Sequence, residues 1–317
     1  MDFFTHFLMA IFISIYTLNS LPFSIVLYAI IMAVIADFDI VLEPLQLIKK
    51  SNFLSHKGLS HSYFTAIIFS FFTASIFTLI TNENFVIVWV VGFLFYSLHI
   101  SLDLMTASKI PIFYPFSKRR YRFFIDRAIN FVLALISGTV IIFYSILYFF
   151  FPQLFFSYLF QYFFGFYLLY FMYRIISKIW IQAKLPSNAL YIPGLFPFRY
   201  FIYEKISSDN LCIFRLRKKI QFSKKNSKIF ETQLSNASED MKYYKKAINI
   251  AKNYVFFTKW EAQIPIIKKT DEHCSVILVL AESYFRGSVY GLKVTFNKRS
   301  DIIDHVSNGF NLFKINQ

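Results

Sequence analysis

The chain has 317 residues, 56% of them hydrophobic, a formal net charge of +15 and a mean hydropathy of +0.50. That balance excludes an ordinary soluble domain and a disordered chain, and points to a polytopic membrane protein. Two cysteines, Cys212 and Cys274, stand far apart with no CxxC spacing, which excludes a disulfide framework and a zinc ribbon.

In chain order, apolar runs occupy residues 3–18, 21–35, 63–80, 85–104, 129–151 and 154–176. A helix needs about 20 residues to cross a bilayer, so the last four qualify and the first two are short. Lys and Arg avoid the turns near Asn19, Asn82 and Pro152, and concentrate in 37–61, in 106–127 and after Arg174. By the positive-inside rule this predicts about six transmembrane helices in an α-helical domain over 1–180, with both termini cytoplasmic. The expected location is the inner or plasma membrane, multi-pass.

Beyond residue 184 the hydropathy falls. Residues 199–204, 211–221, 273–281 and 288–296 carry the β-branched and aromatic character of strands. Residues 238–257 show helical spacing, with Met241, Tyr244, Ala247, Ile248, Ala251 and Val255 on one face and an N-cap at Ser-Asn-Ala-Ser. The expectation is a small α+β cytoplasmic domain over 185–317. From Leu185 to the end there are 21 Lys/Arg and 11 Asp/Glu, a net of +10. Such a tail suits a cytoplasmic face and anionic lipid headgroups; no motif supports nucleic-acid binding.

Ionisable groups cluster where the chemistry is least expected. His6, Asp37, Asp39, His56, His61, His99 and Asp103 fall at the ends of apolar runs. An ionisable group deep in a bilayer costs about 2.5–3.5 kcal/mol on insertion scales, so it marks a pair, an ion or a reaction. In the six-span topology all seven meet on one side. His99 and Asp103, four apart, share a helix face and can reach one cation. Imidazole with carboxylate suits a divalent metal, zinc first, and the number of candidates allows one or two ions. A metal-activated water is the expected nucleophile, since no serine or cysteine elbow and no HExxH segment is present. His6, Asp37, His61, His99 and Asp103 are the expected metal ligands. Asp39 is the expected acid–base group because Asp37 directly follows the apolar helix, and His56 is the candidate general acid or else a group supporting the ligands. Lys109, Lys118 and Arg119 are expected to hold an anionic substrate headgroup.

The ordered segments His6, Asp37-Phe-Asp39-Ile40, His56-Lys-Gly-Leu-Ser-His61-Ser62 and His99-x-x-x-Asp103-x-x-Thr106, followed by Pro115-Phe116, resemble the YdjM-like membrane-bound metal-dependent hydrolases. That family runs through a short H, a PDxD, an HRGxTHS and an HxxxDxxTxxG in the same order. Here Ala36, Lys57, Ser60 and Lys109 stand at the proline, arginine, threonine and final glycine positions. The resemblance implies a metal-dependent hydrolase. A more distant similarity, to the zinc-dependent phospholipase C and P1-nuclease group, implies a phosphoester substrate such as a phospholipid. The alternative is a non-enzymatic membrane protein: a metal or proton transporter, or a scaffold whose cytoplasmic domain binds a partner. Membrane lipids are the expected partners.

Overall fold

The computed structural model describes residues 1–47, 56–150, 157–223, 226–254, 257, 259–297 and 301–312. The turn at Pro152 and the helix position Val255 lie outside them. Two compact units divide the chain, Met1–Ile176 and Ser177–Gln317.

The first unit is helical: α1 Phe3–Thr17, α2 Phe23–Met32, a 3₁₀ run Ile35–Leu47, a short 3₁₀ turn Leu59–His61, α3 Tyr63–Thr81, α4 Phe85–Leu104, α5 Phe131–Phe150 and α6 Ser157–Gln182, which runs on into the second unit. Each start has a physical cause. Asp2 caps α1 by accepting from Thr5 N at 2.9 Å. Ser62 caps α3 through Thr65 N at 3.2 Å, and Asn84 caps α4 through Val86 N and Ile87 N. These side chains satisfy amides that a helix leaves bare.

Among the described residues three helices, α3, α4 and α5, are long and apolar enough to cross a membrane. A fourth crossing is made if α2 and Ile35–Val41, bent by 44°, count as one broken span. This corrects the six spans expected from the sequence. The 15 residues of α1 reach about 22 Å at 1.5 Å each, short of a hydrocarbon core of about 30 Å. α6 is long enough, but five tyrosines with Arg174 and Lys178 dilute its apolar character.

α4 is the most enclosed of the three: 44% of its apolar window is buried, against 17% for α3 and 22% for α5. One core joins α2, α3 and α4 around Tyr28, Ala29, Met32, Val88, Tyr96 and Ile100. A second joins α1, α5 and α6 around Phe12, Val140, Phe160 and Tyr167. Gly92 lets α2 approach α4 closely, since a Cβ there would stand 2.5 Å from the Tyr28 hydroxyl. On the outside, Phe72, Leu79, Ile80, Leu135 and Ile142 are exposed, as lipid-facing positions should be.

The second unit is mostly β. One antiparallel sheet has the order β1 Ala189–Pro193, β2 Arg199–Ser207, β3 Leu211–Ile220, β4 Asn226–Ser235. Another has the order β5 Gln263–Lys269, β6 His273–Leu280, β7 Ser288–Asn297, β8 Ile302–Asn311. α7, Glu239–Ala251, lies between them in sequence, with Ser238 Oγ accepting from Met241 N at 3.3 Å. Tyr203 Oη donates to Gln263 O at 3.0 Å, tying one sheet to the other. The four strands expected from the sequence are β2, β3, β6 and β7. β1, β4, β5 and β8 are additional.

Candidate metal centre

Four elements of the first unit deliver the site. His99 and Asp103 lie one turn apart on α4, both fully buried. Asp37 and Asp39 stand on the 3₁₀ run after α2. Two residues apart, they leave different sides of that run, and the two carboxylates do different things. His61 closes the short turn before α3, and His6 sits one turn into α1.

The Asp37, His61, His99 and Asp103 ligand atoms all lie within 4.8 Å of one another, the set a metal ion would need. His61 Nε2 is 3.2 Å from His99 Nε2, 3.1 Å from Asp103 Oδ2 and 3.7 Å from Asp37 Oδ1. His99 Nε2 is 3.5 Å from Asp37 Oδ1. The other ring nitrogens are engaged. His99 Nδ1 donates to the Ala33 carbonyl at 2.8 Å. His61 Nδ1 lies 2.9 Å from Ser60 Oγ and 3.3 Å from Asp39 Oδ2. A neutral imidazole protonated on Nδ1 carries its lone pair on Nε2, so these contacts select the tautomers that aim two lone pairs into the centre. Orientation of a ligand ring by carbonyl or carboxylate is the usual support of a metal-binding histidine.

The electrostatics favour a cation there. Burial opposes charge on His61, yet the carboxylates of Asp103, Asp37 and Asp39 outweigh it and push its pKa up to about 10, so without a metal the ring carries on Nε2 a proton that a bound ion would displace. Lys57 behaves alike: burial disfavours its charge, but Asp103 and Asp37 raise its pKa. His6 completes the fit. Its ring stacks on His99 at 4.0 Å, Nε2 lies 3.4 Å from Asp103 Oδ1, and neither ring nitrogen makes a hydrogen bond although the side chain is buried. Buried polar atoms seldom go unpaired. A divalent ion bound by imidazole and carboxylate therefore suits these residues.

Asp39 faces a different set. It accepts from Lys57 N at 3.0 Å and from Ser60 Oγ, and lies 2.5 Å from His56 Nδ1. His56 is the half-buried member, edge-on to His61 at 5.9 Å. Of the basic groups expected to hold substrate, Lys118 and Arg119 are exposed and Lys109 half-buried. The amines recorded on the cluster belong to Lys57, whose Nζ is 2.7 Å from Asp103 Oδ2, and to the Met1 α-amino group, also on Asp103. Lys57 went unrecognised in the sequence as a site residue. Its signal was its position between His56 and Gly58, and the structure gives it a left-handed φ of 58°, uncommon outside glycine.

Fold and site together define a helical membrane domain with a buried His/Asp cluster able to take a metal ion. The chain belongs to the YdjM inner membrane protein family, whose model matches residues 1–181. No curated protein and no solved structure matches the chain. Family and apolar helices place it in a membrane.

Proposed function

We propose that this protein is a metal-dependent hydrolase of the membrane surface, acting on a phosphoester, with a phospholipid as the favoured class. The observation that carries the reading is the convergence of four ligand atoms from three chain segments within 4.8 Å. Asp37, His61, His99 and Asp103 hold the ion, zinc by donor type, with His6 adjoining as a further ligand. When bound, such an ion polarises a phosphoryl oxygen and acidifies water.

The chain's own groups do the rest. His56 carries a proton to the leaving oxygen, and Asp39, 2.5 Å from its Nδ1, orients the ring and stabilises its charged form. Lys57 attracts the substrate's negative charge toward Asp103, and Lys109, Lys118 and Arg119 receive the rest of an anionic headgroup. The face that carries the cluster, bordered by the basic segments 37–61 and 106–127, is the cytoplasmic one by the distribution of Lys and Arg.

Metal analysis of the purified chain beside His99→Ala, with turnover measured on a panel of phospholipids and nucleotides, tests the reading. Stoichiometric metal that His99→Ala abolishes, with phosphoester cleavage lost alongside, is the expected result. Bound metal without cleavage of any phosphoester overturns the hydrolase and leaves transport or a scaffold.

A further inference from the structure

In the second unit, two loops meet at one end of the first sheet. β2 and β3 pair antiparallel with Arg199 opposite Ile220, so the β1–β2 loop and the β3–β4 loop share that end, and the β2–β3 turn lies at the other. Gln221 N donates to Phe198 O at 2.8 Å and joins the two loops. Gly194 closes the first: its N–H donates to Arg199 O at 2.9 Å, and a Cβ there would lie 2.1 Å from that oxygen.

What these loops display is not what a solvated turn requires. Phe198 is 43% exposed and Phe222 is 87% exposed; Phe196, also exposed, stacks on Phe198 at 5.9 Å. The Arg199 guanidinium lies over both rings, at 5.1 and 6.0 Å. Phe222 holds a left-handed φ of 67°, a conformation a bulky residue rarely adopts. Lys218 and Lys219 lead into the same end on β3.

A second observation places this tip along α6. Ser177 Oγ donates to Gln221 Oε1 at 2.9 Å, which sets the loops beside the end of α6 rather than beyond it. The neighbouring α6 residues Ile179 and Trp180 are exposed and apolar, and Lys184 lies 3.6 Å over the Trp180 ring. Aromatic side chains with basic neighbours are the composition of a membrane–water interface.

We propose that the paired loops carrying Phe196, Phe198, Arg199 and Phe222 form a membrane-docking tip. Their rings enter the headgroup region of an anionic bilayer, and Arg199, Lys218 and Lys219 meet its phosphates. The occupant is a lipid surface because the tip's exposed rings adjoin the exposed apolar residues Ile179 and Trp180 and the region from Leu185 onward carries a net +10. This inference stands apart from the hydrolase reading.

The test uses the full chain in bilayer discs of phosphatidylglycerol and phosphatidylcholine. A fluorophore is placed at Phe222→Cys, at Phe198→Cys, or at Asp209→Cys in the β2–β3 turn; the native cysteines are buried. We expect lipid-borne nitroxide to quench the labels at 222 and 198 and spare 209. Aqueous iodide should reach 222 several-fold less than 209, with the protection reduced in discs of phosphatidylcholine alone. Equal access of iodide to 222 and 209 overturns the proposal. So does protection from iodide without quenching by lipid nitroxide, which would mean that protein covers the tip.

Discussion

Two buried polar clusters in the helical unit behave oppositely. At the base of α5 and α6, Arg174 lies 3.1 Å from Asp126 Oδ1, and Tyr170 Oη donates to Asp126 Oδ2 at 2.6 Å. Asn130 Nδ2 donates to Tyr170 Oη at 2.9 Å. Asp126 meets the guanidinium of Arg174 with Arg127 also in its field, and neutral groups supply further bonds. At the metal centre, three aspartates and four imidazoles, those of His6, His56, His61 and His99, crowd together, and among the described residues the amines on them are Lys57 Nζ and the Met1 α-amino group. The first cluster closes on itself and is structural. The second draws its positive charge from amines and from a proton on His61, charge that a metal ion would supply instead, and that difference separates a site from a brace.

The sharpest way to break the comparison is to remove one group from each. Asp103→Asn should abolish stoichiometric metal binding and activity together, because Asp103 bridges His6, His61 and Lys57; metal analysis reads it. Retention of the metal would move the site elsewhere. Arg174→Met should leave metal content unchanged and cost about 3–5 kcal/mol in stability, since Asp126 would remain buried without its partner. Thermal unfolding in detergent measures it, and adding Asp126→Leu should restore most of the loss. If Arg174→Met releases metal, the two clusters are not separable.

Smaller effects grade the comparison. Asp39→Asn should weaken metal affinity by about 10–100-fold through the loss of its contact with His61, as outer groups of metal sites do, and should lower turnover further through His56. Gly92→Ala forces a methyl against Tyr28 and should cost about 1–3 kcal/mol as an overpacked core, with metal stoichiometry intact once the chain is folded.

The two clusters were not equally legible. His99 and Asp103 announced themselves because charge in an apolar run has few other uses, and their spacing of four put them on one face. Arg174 passed as a topology marker and Asp126 drew no reading, since their pairing joins distant segments that no local pattern links. The sequence separates Asp37, directly after the apolar helix, from Asp39, but the contact of Asp39 with His56 joins segments that no local pattern links. Span number failed because short and tyrosine-rich helices such as α1 and α6 resemble spans in a hydropathy profile. In the second unit, β2, β3, β6 and β7 follow their β-branched and aromatic content. β4 is mostly polar and β8 exposed on both faces, so neither shows the alternation that marks a half-buried strand.

The weakest expected effect lies where charges pair in solvent. On the first sheet Arg215 sits across from Glu204 and Glu231, and its Nε donates to Glu231 Oε2 at 2.6 Å. Arg215 holds the Glu231 carboxyl below the usual carboxylate range. A carboxyl depressed on folding adds stability that is present above its ordinary pKa and fades as pH falls through the folded value. Glu231→Gln should therefore slightly lower the melting temperature near neutral pH and make no difference once the pH is below both values. Water and salt screen an exposed pair of this kind, so raising the salt should shrink even that small gap. A gap that persists in high salt, or that widens in acid, would mean that Glu231 supports the sheet by something other than its charge.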